Sequence, residues 1–261
     1  MQSESSNDRE ETVCGFFKER FYFWMWNLAA PSPDPNRVAN RKNIEATPFT
    51  TADNKRLNGY KYHAHTENGE RIKPKGYVLM AMGNAMASDI MIEELRSFAE
   101  NGFDVYVYDY RGYGNSEGKR RLKAIVADYQ EIVSDLNKKY PRKLLYGVSF
   151  GGIVLMNVIG SGVDYDAAVI DSSPSRLSPH GCQKQYDTVE HIPNDASKIF
   201  VITGKQDTVI DENMSRELYE TAEKNGAKVY QGENFDHPFL DASHAVRSER
   251  MRLIQEFLFN R

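Results

Sequence analysis

Residues 143–152 read Lys143-Leu144-Leu145-Tyr146-Gly147-Val148-Ser149-Phe150-Gly151-Gly152, an apolar run that enters a Gly-x-Ser-x-Gly turn. A short apolar run of this kind suits a parallel strand buried on both faces. Downstream, Ile153, Val154, Met156, Asn157 and Ile159 carry a helix until Gly160 and Gly162 end it. A serine on a tight strand-to-helix turn is lifted clear of the sheet. Glycines two positions before and after it remove the side chains that would collide there. The helix N-terminus beneath adds partial positive charge, which favours a developing oxyanion. Ser149 therefore reads as a nucleophile. The simpler reading is an ordinary turn with a solvent-facing serine, and three fixed positions are a weak match alone, so the surrounding chain has to decide.

Working outward, residues 45–51 and 56–63 read as a hairpin turning at Asp53-Asn54. From residue 76 the pattern alternates strand and helix. Strands are expected at 77–82, 103–108, 167–170, 199–203 and 227–231. Helices are expected from a Ser88 cap to Asn101-Gly102, along the stripe Ile125, Tyr129, Ile132 and Leu136, at 212–224 and at 243–259. Such alternation predicts an α/β fold, a mostly parallel twisted sheet with helices on both faces. Functional groups should then gather at the C-terminal ends of the strands.

Two loops meet that expectation. Gly204-Lys205-Gln206-Asp207 follows one strand, and Asn234-Phe235-Asp236-His237-Pro238-Phe239 follows another. Ser149, Asp207 and His237 thus occur in the order nucleophile, acid, base. A serine hydroxyl needs a base to take its proton, and the base needs an acid to fix its tautomer. Asp211 and His244 are the rival carboxylate and imidazole. Both fall at helix starts, where a carboxylate has a capping role and an imidazolium would be opposed.

With these residues in place, the chain resembles the α/β-hydrolase superfamily over residues 45–261. The supporting loop Asp109-Tyr110-Arg111-Gly112-Tyr113-Gly114-Asn115-Ser116-Glu117-Gly118 looks like the family's Asp-x-Arg-Gly-x-Gly-x-Ser loop. That loop is structural in the family, so Asp109 and Arg111 are assigned no chemistry. The resemblance implies an oxyanion hole made by the backbone N–H groups of Phe150 and Asn84. Relatives usually carry His-Gly where this chain has Met82-Gly83, so hydrogen bonding in that loop must differ. Only 26 residues, 171–196, stand where many relatives insert a lid domain. A minimal lid is expected. The likeness is greatest to lid-poor serine hydrolases, including esterases and membrane-associated depalmitoylating thioesterases. It implies cleavage of a carboxylic ester or thioester, in a small or acyl-bearing substrate, through an acyl-serine intermediate. The elbow also looks like that of prolyl-oligopeptidase-type peptidases, whose large extra domain is missing here. A non-catalytic binding protein of the same fold is a further alternative, opposed by the intact Ser149, Asp207 and His237.

Composition narrows the rest. A formal charge of −4 with mixed signs offers no basic surface for nucleic acid, and Lys119-Arg120-Arg121-Leu122-Lys123 reads as a solvated loop and helix start. His63 and His65 read as surface histidines with no further ligand cluster, so no metal is expected, and no cofactor is called for. Cys14 and Cys182 are far apart and suggest no disulfide framework, which makes a reducing, cytoplasmic setting the simpler expectation. Residues 1–43 divide off as an aromatic segment and linker from a hydrolase-like domain at 44–261. Within that segment Phe16, Phe17, Phe21, Tyr22, Phe23, Trp24, Met25 and Trp26 surround Lys18, Glu19 and Arg20. Two readings of residues 13–30 compete: peripheral contact with a membrane surface, or apolar cover folded back over the domain, and the second is preferred.

Overall fold

The apolar runs become the middle of an eight-stranded sheet. The computed structural model describes residues 6–260, without the side chains of residues 6, 7, 16, 22 and 25–29. Two helices come first, α1 (Ser6–Arg9) and α2 (Phe16–Ala29), then strands β1 (Ile44–Ala46), β2 (Phe49–Thr50), β3 (Arg56–Leu57), β4 (Gly59–Tyr62) and β5 (Tyr77–Ala81). Alternation follows: α3 (Ser88–Glu94), α4 (Arg96–Glu100), β6 (Asp104–Tyr108), α5 (Leu122–Asn137), β7 (Lys143–Val148), α6 (Phe150–Gly160) and β8 (Ala167–Asp171). Strand β9 (Ile199–Gly204), α7 (Glu212–Lys224), β10 (Lys228–Gly232) and α8 (His244–Phe259) complete the chain.

The strand order is β1-β4-β6-β5-β7-β8-β9-β10. Strand β4 runs antiparallel to both its neighbours, β6 and the edge strand β1, and β6 to β10 run parallel with β5. Every residue of β5, β6 and β8 is buried, so both faces of the sheet are covered, as their largely apolar sequences demand. The order reverses at β5, with β6 on one side and β7 on the other. A crevice therefore opens beyond the strand ends at that point.

The 109–118 loop is anchored by charge. Arg111, fully buried, donates to both Asp53 carboxylate oxygens at 2.6 and 2.8 Å and to both of Asp128 at 2.9 and 2.5 Å. Asp53 comes from the β2–β3 hairpin turn and Asp128 from α5, so one guanidinium joins three elements. Arg9 adds a second layer, paired with Glu131 at 2.5 Å and Asp53 at 3.5 Å.

Three expectations change. Cys14 and Cys182 form a disulfide, so sequence distance was no guide to spatial distance, and the cysteines no longer argue for a reducing setting. The helix after β5 begins beyond an Ala87 N-cap, with no side-chain cap from Ser88, and it breaks at Leu95 into α3 and α4. His65 is buried, with its ring against Tyr62, whereas His63 is half-buried beside Glu45. No cluster of potential metal ligands occurs among the described residues.

Helix α2 lies over the domain. Phe23 is buried edge-on to Phe150 at 5.6 Å and to Tyr113 at 6.3 Å, a contact worth roughly 2–3 kcal/mol by burial of the ring. Phe17, Phe21 and Trp24 are 83%, 55% and 54% exposed. Phe16, Tyr22, Met25 and Trp26, part of the same aromatic stretch, have side chains outside the described ones. No described helix is long and apolar enough to cross a membrane.

Candidate active site

Strand β7 delivers Ser149 to the crevice in a backbone conformation that only a few residues adopt. Its φ of 53° and ψ of −116° lie outside the ordinary regions for a non-glycine residue, a strain of about 1–3 kcal/mol that surrounding contacts must hold. The contacts are specific. Ser149 N donates to the Asp171 carbonyl at 2.8 Å, and Gly152 N donates back to the Ser149 carbonyl at 3.0 Å. A Cβ on Gly151 would sit 1.9 Å from the Ala81 carbonyl oxygen at the end of β5, so α6 can start this close to the sheet only with glycine there. A Cβ on Gly147 would meet the Gly151 carbonyl at 2.8 Å.

Asp207 and His237 come together from neighbouring loops. Beyond the Gly204–Gly232 register of β9 and β10, Gln206 N donates to the Phe235 carbonyl at 3.0 Å, which ties the two loops. His237 Nδ1 then lies 2.9 Å from Asp207 Oδ2, and both residues are buried. The other Asp207 oxygen accepts from Val209 N at 2.9 Å and Ile210 N at 2.8 Å. Burial alone would raise this carboxyl, but the hydrogen bonds from His237 and the Ile210 N–H outweigh it and hold it below the usual carboxylate range. The rivals are elsewhere: Asp211 caps α7 through Met214 N, and exposed His244 opens α8.

The His237 loop has a support that its sequence did not announce. Arg250 of α8, 2% exposed, donates to the Asp236 carbonyl, to Asp241 Oδ1 at 3.0 Å and to Asp171 Oδ1 at 2.7 Å, with its guanidinium 4.4 Å from the Phe235 ring centroid. Asp236 Oδ1 accepts from His237 N at 2.6 Å, which gives the carboxylate a structural task.

Ser149, His237, Phe150 and Asn84 line one cavity of about 670 Å³, within the range of small-molecule sites. Tyr113 Oη donates to Asn84 Oδ1 at 3.2 Å and Tyr110 Oη to the Met82 carbonyl at 2.6 Å, so tyrosines of the 109–118 loop steady the strand β5 exit. Met82 itself is buried, and Met86 Sδ accepts from Gly83 N at 3.2 Å. Most of the lining is aliphatic or methionine, with Met86, Met91, Ile153, Ile210 and Met214 at its sides.

Comparison with known proteins agrees with this fold. Residues 72–184 match the serine aminopeptidase S33 family model. The esterase Pf2001 of Pyrococcus furiosus superposes with a TM-score of 0.65 at 17% identity, covering 88% of this chain and 97% of that one. XC6422 of Xanthomonas campestris, a serine hydrolase without a lid, superposes with a TM-score of 0.63 at 15% identity, covering 88% and 97%. The chain has the α/β-hydrolase fold. In sequence this hydrolase-fold chain is 28% identical over 228 residues to the uncharacterised protein YfhR of Escherichia coli K12, covering 79% of this chain and 78% of that one.

Within this α/β-hydrolase frame the 171–196 segment is short, with three single-turn 3-10 helices at Ser178–His180, Lys184–Tyr186 and Thr188–His191. The roof over the cavity comes from elsewhere. Cys14, Glu19, Phe23 and Pro31 line the cavity from the α2 side, and the Cys14–Cys182 bond fastens that side to the short insert. Gln183 N also donates to the Val13 carbonyl at 2.7 Å. Glu19, 1% exposed, accepts from Val13 N at 2.6 Å, Cys14 N at 3.1 Å and Leu122 N at 2.9 Å, which binds the roof to the start of α5. The signal for these roof residues was present as an aromatic stretch flanked by one of two cysteines, but nothing in its spacing said which surface it would cover.

Proposed function

We propose that this protein is a serine hydrolase that cleaves a carboxylic ester or thioester bearing an aliphatic acyl group. Ser149 is the nucleophile, His237 takes its proton, and Asp207 holds the His237 ring and favours the imidazolium form. The acyl carbonyl oxygen becomes the oxyanion facing the N–H groups of Phe150 and Asn84. Ser149 Oγ bonds to the acyl carbon, the alcohol or thiol leaves with the proton from His237, and water then releases the acid by the reverse transfers.

The 2.9 Å His237–Asp207 contact, opening on the cavity that holds Ser149, carries this reading. The lining supports the choice of substrate. An aminopeptidase needs an anion to hold the substrate ammonium, and the one carboxylate among the described lining residues, Glu19, already accepts three backbone N–H groups. Arg176 also reaches the cavity, but its guanidinium is paired with Asp187, Glu190 and Glu217. A neutral, apolar acyl chain meets neither charge unpaired.

The test is turnover of nitrophenyl esters from acetyl to palmitoyl, the matching acyl thioesters, and aminoacyl coumarin amides, with fluorophosphonate labelling followed by intact mass. Ester or thioester turnover with a single label on Ser149 is expected. Preferential release of coumarin from aminoacyl amides would replace the acyl-ester reading with the peptidase one.

A further inference from the structure

Helix α2 presents two faces with different chemistry. Phe23 and Glu19 point into the fold, whereas Phe17, Phe21 and Trp24, spaced to share one helical stripe, stand exposed. Three large aromatic side chains this exposed on one stripe of one helix mark an interaction surface rather than ordinary scatter. Beside them runs a groove of about 580 Å³ lined by Phe21 and Trp24 together with Arg20, Lys119, Arg120 and Arg121.

The groove is built for an anion. Arg121 is 8% exposed, and its Nε has no hydrogen-bond partner among the described residues. Its Nη1 donates to the Arg120 carbonyl, and Arg120 Nε donates to the Gly112 carbonyl, so neither guanidinium meets a carboxylate among the described residues. Lys119 pairs with Glu10 at 2.8 Å and remains largely exposed. A buried guanidinium with an unmet N–H beside two more cations is stabilised by a phosphate-type oxygen.

We propose that α2 docks on the surface of a bilayer containing anionic phospholipid, with Phe17, Phe21 and Trp24 in the interfacial layer and the adjoining groove receiving a phosphodiester headgroup. Aromatic side chains prefer that layer, and nearby Lys and Arg side chains add attraction to anionic lipid. Charge also selects against a second copy of the chain as the occupant. In a symmetric contact the same patch faces itself, so the arginine groups of two copies would oppose one another. The protein's net charge of −4 gives no general attraction to anionic lipid, so binding must come from this face.

Vesicle binding by a Ser149→Ala variant is read without turnover, so its outcome is separate from that of the hydrolytic reading. Both tryptophans of the chain lie in α2, which makes tryptophan emission a report on this helix. We expect the protein to cosediment with phosphatidylcholine vesicles containing phosphatidylglycerol, with a blue shift in emission, and far less with phosphatidylcholine alone. F17S/F21S should abolish binding. R20Q/K119Q/R120Q should weaken the phosphatidylglycerol response by roughly a hundredfold, for three surface charges. Far-UV circular dichroism checks that both variants fold. Equal binding to both vesicle types, no binding to either, or no effect of these variants would overturn the proposal. So would a concentration-dependent dimer, seen by sedimentation velocity, that F17S/F21S dissolves.

Discussion

Arg250 reaches from the middle of α8 to Asp171 at the end of β8, Nη1 to Oδ1 at 2.7 Å, and its other terminal nitrogen holds the Asp236 carbonyl next to His237. The same guanidinium thus fixes a strand end and the loop that carries the proposed base, His237. Asp171 is fully buried, and burial pushes its carboxyl upward even beside Arg250. Arg250→Met should therefore leave an uncompensated buried carboxylate and lower stability by about 3–5 kcal/mol. The double variant Arg250→Met/Asp171→Asn should regain much of that stability without regaining kcat, because the Asp236 carbonyl stays unheld. Urea melts and steady-state kinetics on both variants decide it. A double variant with native kcat would show that Arg250 matters to folding alone.

The assignment of acid and base is open to direct comparison. His237→Ala and Ser149→Ala should each lose turnover by on the order of 10⁴ to 10⁶ in kcat, and Asp207→Asn should be nearly as severe. Asp211→Asn and His244→Ala should retain most activity, since Asp211 is spent on the Met214 N–H and His244 lies exposed at a helix start. Asp211→Asn should still lower stability by about 1 kcal/mol as a weakened cap. If His244→Ala were the severe variant, the base would lie one loop later than proposed.

The Cys14–Cys182 bond closes a long loop, with a sequence separation of 168, and fastens the cavity roof. Cys14→Ser/Cys182→Ser, or reduction of the native protein, should lower stability by about 2–5 kcal/mol. Larger acyl chains should then show a raised KM while short ones change little, because the roof side of the cavity is what loosens. Melting under oxidising and reducing conditions and an acyl-length series check both parts. A melting point indifferent to reductant would remove the roof from the list of stabilising features.

Asp187 organises the short 171–196 insert by accepting from Leu177 N and Ser178 N at 2.7 Å, Ser178 Oγ at 2.6 Å and Arg176 at 3.1 Å. Burial opposes the charge, but these donors prevail and hold the carboxyl below its ordinary 3.8. A folded value below the unfolded one means that the stabilisation is present above about 3.8 and is lost as pH falls through the folded value. Asp187→Asn should therefore lower stability by about 2–3 kcal/mol at neutral pH, with a gap from the native protein that narrows in strong acid. Chemical denaturation across that range is the measurement, and a gap that stays constant with pH would contradict the charge-based account.

The sheet, the elbow and the order of Ser149, Asp207 and His237 were legible because each depends on local pattern: an apolar run, a glycine pair, a polar loop after a strand. The elbow glycines illustrate why, since the 1.9 Å approach of a Gly151 Cβ to Ala81 leaves the sequence no alternative there. What escaped was long-range and charged. Arg250 sits in a helix whose sequence gives no sign that one arginine turns inward, and its partners come from positions 171, 236 and 241. Glu19 likewise reads as one charge in an amphipathic stretch until Leu122 N is seen to bind it. His65 was misjudged for the same reason, because alternation along a strand places it on a face but not under a neighbour.

The roof of the cavity is supplied by residues that precede the sheet, while the proposed chemistry is supplied by residues within and after it. The two meet at the Cys14–Cys182 bond, at Gln183 N donating to the Val13 carbonyl, at Leu122 N donating to Glu19, and where the Phe23 ring packs on Phe150 and Tyr113. The part of the cavity nearest α2 is therefore built by a different stretch of chain from the part that holds Ser149 and His237. Substitutions between residues 13 and 31 should reshape the cavity on its α2 side while Ser149, Asp207 and His237 stay where the sheet puts them.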